Sequence, residues 1–287
     1  MQQTVARNSC WISYICGVKQ MIEIARQYNS TNNSDTSLML GWVYYFDIMA
    51  RFTIRHWRTE QVEAAAKTLG FNSQGEKSCV IQYILAQDSF AKGVPDLAAH
   101  SHSTIQLLAE VSGIAIYSSE PRYTTADYQR HLDDLRLKLE AEVISDSDMI
   151  YTTKSDSTFH DQQILQLVCL AALIYLERVS RNFSGQSAKL DLWTNQGFSI
   201  LNKLDSCLCP FALFILGCEA NKDEDRIIIL NLYSRMENQP YLRSFMESRL
   251  LVQTAWNQQD LAHEGNLEYI HKLNLVISSR DLLPSFI

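Results

Sequence analysis

The chain has 287 residues, of which 46% are hydrophobic and 20% charged, a globular composition that excludes a wholly disordered protein. Its 25 Lys and Arg are outnumbered by 32 Asp and Glu, and a net charge of -7 argues against a general duplex DNA or RNA binder, which needs a basic excess or stripe. Only 10 Gly and 5 Pro interrupt it, so long stretches are free to be helical.

Residues 10–28 place Trp11, Ile15, Val18, Ile22 and Ala25 on one helical face, and the polar run at 29–35 reads as a turn or short loop. Residues 37–57 are apolar on most sides, which predicts a central, nearly enclosed helix with Asp47 inside it. The densest basic stretch, 51–58, is interleaved with Phe52, Ile54 and Trp57 and reads as the edge of that helix rather than as a phosphate-binding patch. Short helices are predicted over 60–69 and 78–91. Pro95 then suits the first position of a helix running through Leu97, Ile105, Leu108 and Val111 to Gly113.

The one β-like stretch, 114–117, is too isolated to build a sheet. Thr124 is placed to cap the next helix with Asp127 three positions on, and Asp134–Lys138 and Arg136–Glu140 are spaced as ion pairs on its solvated faces. Polar, acidic residues 145–159 predict a linker or mobile loop dividing two intimately packed halves of a single domain. Beyond it, residues 160–181 form a helix with Ile164, Leu167, Val168, Ala171, Ile174, Tyr175 and Val179 inward, followed by helices over 190–204 and the very apolar 210–220. Asn221 with Glu224 resembles a capping box for the next helix; 238–240 break it from another over 241–256, and a last helix covers about 266–277 before a partly ordered tail. The fold class is all-α, with about ten or more packed helices and no significant sheet.

Seven scattered cysteines argue for a reducing compartment rather than a disulfide scaffold. The pair Cys207 and Cys209 has no second pair or nearby His to complete a zinc site, so no metal is expected there. Residues 1–8 are not followed by a signal-peptide pattern, and the apolar run at 210–218 is too short to span a bilayer, so no membrane is expected. His100 and His102 point in different directions on a helix, and His131 follows Asp127 by four without a nucleophile tied to it. Cys169 and Cys218 are nucleophile candidates only if folding brings a His to them. No phosphate loop, nucleophile elbow or His-Glu-x-x-His is present, and no catalytic residue or cofactor site is assigned. Asp47 and Glu219 are charges in apolar surroundings and must be paired: Asp47 with Arg51 one turn on or a group from a neighbouring helix, and Glu219 with an Arg, for which Arg226 is the candidate, or an N-terminal cluster of amides. The aromatic residues Trp11, Trp42, Tyr44, Tyr45, Trp57, Trp193 and Trp256 read as interhelix packing, with an aromatic pocket for a small apolar metabolite as the second reading.

Several phrases resemble the fungus-specific transcription factor domain that usually follows a binuclear zinc cluster. Trp11-Ile-Ser-Tyr-Ile-Cys-Gly17 is similar to the family's opening Trp-x-x-His-x-x-Gly, with Tyr14 where His is common. Tyr45-Phe-Asp47-Ile-Met-Ala50, Gly93-Val-Pro95-Asp-Leu97, Ala172-Leu-Ile-Tyr175-Leu176 and the run from Pro210 through Gly217, Cys218 and Glu219 to Ala220 follow in order, with Asp225-Arg226 and then Trp256 and Asp260. The resemblance spans about residues 11–260. Trp11, Asp47, Pro95, Tyr175, Gly217, Glu219, Arg226 and Trp256 are its landmarks, expected to be structural. Residues 1–8 supply no zinc cluster; if the chain is complete, it resembles the shortened relatives found beside fungal secondary-metabolite genes. The resemblance implies a nuclear regulator of transcription acting through protein partners, either the transcription machinery or a DNA-binding regulator. Cytoplasmic residence and a homodimer stay open. The alternative is an isomerase or cyclase of a fungal biosynthetic pathway that re-uses the fold without a metal.

Overall fold

The protein is represented by a computed structural model, which describes residues 15, 17–18, 21, 24, 34–57, 99–148, 156–237, 242–261, 268–280 and 284–286. Among these the structure is all-helical, with no strand. Ile15, Gly17, Val18, Met21 and Ile24 are helical. The long helices are α1 (Ser34–His56), α2 (Ala99–Ile114), α3 (Ala126–Asp148), α4 (Asp156–Tyr175), α5 (Ala188–Lys203), α6 (Pro210–Glu219), α7 (Asp223–Met236), α8 (Leu242–Leu261) and α9 (Tyr269–Ser278). The expected helices at 60–69 and 78–91 and the landmarks Trp11 and Pro95 lie outside the described residues.

Two helices organise the rest. All ten residues of α6 are buried, because Pro210 starts a helix with no polar face and α4, α5, α7 and α8 surround it. In α4 every residue from Leu167 to Tyr175 is buried, and α2, α3, α5 and α6 pack around it. By length (21 residues) and by the mean hydropathy of its most apolar stretch (1.4), His160–Ser180 would be long enough to cross a membrane, which a reading confined to the shorter run at 210–218 misses. Its most apolar stretch is 72% buried inside the protein, as expected of a core helix. The peripheral helix α3 shows the amphipathic alternative, burying Tyr128, Leu132, Leu135, Leu139 and Val143 at three- and four-residue steps. Residues from both sides of 145–159 join one apolar cluster.

Close backbone approach sets two helix crossings. A Cβ on Gly197 of α5 would fall 2.6 Å from Leu216, and one on Gly217 of α6 would fall 2.6 Å from Val252 of α8. Only glycine lets these pairs pack at this spacing without displacing a neighbour.

Several local expectations are corrected. Thr125, not Thr124, caps α3: its hydroxyl accepts the Tyr128 N–H at 3.3 Å, while Thr124 is taken up in the 3-10 turn Pro121–Thr124. Arg136 pairs with Asp133 at 3.2 Å one turn back rather than with Glu140. The polar segment 145–159 is helical at both ends, since α3 runs to Asp148 and α4 starts at Asp156; the remainder lies outside the described residues. Asn221 caps nothing, because α7 starts two residues later at Asp223, with Asp223, Glu224 and Asp225 filling its first turn. The helix over 160–181 does not stay regular. It passes at Leu176–Ser180 into a π-helical turn, with Arg181 N–H bonded to Leu176 O at 3.1 Å, and ends at Asn182 in a left-handed conformation (φ 49°).

Candidate functional site

The C-terminus of α6 gathers several polar contacts. A helix end leaves carbonyls without partners, and here they meet side-chain donors from α7 and α8. Trp256 donates its indole N–H to Gly217 O at 2.7 Å, Gln259 its amide to Cys218 O at 2.7 Å, and Arg226 its Nε–H to Ala220 O at 3.1 Å. The Arg226 guanidinium lies 5.3 Å from the Trp256 ring centroid and grips both oxygens of Asp260, at 3.0 and 2.8 Å. Those hydrogen bonds hold the Asp260 carboxyl below the usual carboxylate range.

Glu219, the last residue of α6, is 6% exposed. Its partner is Arg178 rather than the expected Arg226. Arg178 Nε–H reaches Oε1 and Oε2 at 3.0 and 3.2 Å, and Nη2–H reaches Oε2 at 2.7 Å. The π turn after α4 presents Arg178 to this site, and its Nη1 also donates to the carbonyls of Phe183 and Gly185. Tyr269 of α9 donates its hydroxyl to Glu219 Oε1 at 2.7 Å. Burial and the adjacent carboxylate push the Tyr269 phenol well above its ordinary range. For Arg178, burial works against the charged form, but hydrogen bonding and attraction to Glu219 outweigh it and raise its pKa. The arrangement is a closed ion pair, with its donors and acceptors turned on each other.

A second polar chain lies between α1, α4 and α9. His56 is fully buried; its Nδ1 stands 2.7 Å from Asn274 Oδ1 and its Nε2 2.8 Å from the Tyr175 hydroxyl. An amide oxygen can only accept, so Nδ1 carries the proton and Nε2 accepts from Tyr175. Asn274 passes the chain on by donating to Tyr117 Oη at 3.3 Å. Burial lowers the His56 pKa to about 3, against the Asn274 contact, so the ring is neutral. Tyr175, the landmark on α4, therefore orients a histidine. Next to it Arg55 donates to Gly113 O at 3.1 Å and to Ala115 O, closing the C-terminus of α2.

Asp47, fully buried on α1, pairs with Arg51 Nη2 at 2.6 Å, as the i,i+4 spacing predicts. Tyr45 of the same landmark phrase meets Cys209 Sγ at 3.7 Å. Burial raises the Cys209 thiol, and burial with the neighbouring Glu219 raises Cys218 well above its ordinary value, which leaves both protonated. Cys169 stands 3.9 Å from the Thr104 hydroxyl. His131 lines an open surface cleft of about 760 Å³ with Glu110, Ile114, Arg122, Tyr128 and Lys138.

A comparison with protein families matches residues 3–276 to the fungal specific transcription factor domain. The chain belongs to this family. It is also similar to the transcription factor iacI of Pestalotiopsis fici, with 28% identity over 288 residues that cover 99% of this chain and 68% of that protein. No solved structure matches.

In this fungal specific transcription factor domain, the landmarks within the described residues take part in these contacts. Gly217, Glu219, Arg226 and Trp256 meet at one helix end, Tyr175 anchors the His56 chain, and Asp47 is paired on the central helix. Sequence reasoning missed Arg178, Tyr269, Asn274 and the role of His56. The one available signal was that buried Glu219 required a partner.

Proposed function

We propose that this fungal specific transcription factor domain regulates transcription in the nucleus, controlling a fungal secondary-metabolite gene cluster through protein partners rather than by gripping DNA itself. Membership in the family and similarity to a protein named a transcription factor support the regulatory part.

The observation that supports the partner-mediated part is where six of the described arginines go. Arg51, Arg178, Arg226 and Arg249 pair with acids of the chain, and Arg55 and Arg235 donate to its backbone carbonyls. Phosphate recognition needs guanidinium groups free to face a duplex, and an overall charge of -7 repels one. A helical surface presented to the transcription machinery, or to a DNA-binding regulator, needs neither.

Deleting the gene and measuring transcripts of neighbouring biosynthetic genes tests the reading. Those transcripts are expected to fall. Unchanged transcript levels with a blocked pathway step would overturn it and favour the isomerase or cyclase.

A further inference from the structure

We draw no further inference here: the strongest candidate, the open surface cleft between α2, the 3-10 turn and α3, is lined by acids (Glu110 and Asp127) and bases (Arg122, His131 and Lys138) together, and nothing in the structure shows what covers it.

Discussion

Trp256 donates its indole N–H to the carbonyl of Gly217 at 2.7 Å, at the one point where α8 approaches α6 so closely that Gly217 has no room for a side chain. Two residues 39 positions apart therefore specify one contact. Trp256→Phe keeps most of the packing and removes the donor, which should cost about 1–2 kcal/mol. Gly217→Ala drives a methyl into Val252 and should cost about 1–3 kcal/mol. Urea unfolding checks both. Because the two changes act on the same contact, the double variant should lose less than the sum of the single ones.

The Arg178–Glu219 pair is almost enclosed, with side chains 9% and 4% exposed. Removing one partner strands the other charge, so Glu219→Gln and Arg178→Met should each destabilise by about 3–5 kcal/mol. Replacing both, as Arg178→Met with Glu219→Gln, should recover part of that loss, because the penalty belongs to the uncompensated charge. Equilibrium denaturation of the four proteins gives the coupling directly.

The neutral His56 sets a pH dependence. Its pKa is about 3 in the folded protein against 6.5 ordinarily, so between those values the unfolded chain binds more protons and stability rises with pH. The contribution is complete above pH 6.5 and declines as pH falls towards 3, with a slope approaching about 1.4 kcal/mol per unit. Subtracting the stability curve of His56→Gln from that of the native protein isolates it. A difference that is flat across that window would show that the ring is charged in the fold. Tyr175→Phe should cost about 1–3 kcal/mol, since it leaves His56 Nε2 buried without its donor.

The helices were legible because apolar spacing and the scarcity of Gly and Pro are local properties. The i,i+4 pair of Asp47 and Arg51 was legible for the same reason. Glu219 could be recognised as needing a cation, but spacing favoured Arg226, seven residues on. Arg178, 41 residues back, reaches it from a π turn that no periodicity announces. The His56–Asn274 contact spans 218 residues and joins side chains that are unremarkable in their own helices. Phe286 lies in the tail, and its buried ring meets Phe52 and Phe214 from two distant segments, a contact no local pattern announces. The acidic stretch 145–159 misled in the opposite direction: its composition reads as loop, yet helices on both sides extend into it.

Tethering residues 1–287 to an unrelated DNA-binding module and measuring transcription from a reporter carrying that module's site asks directly whether this domain works through protein contacts. Reporter transcript should change several-fold relative to the module alone, and the destabilised Glu219→Gln fusion should lose the effect. A native fusion present at normal levels that leaves the transcript unchanged would refute regulation through partners.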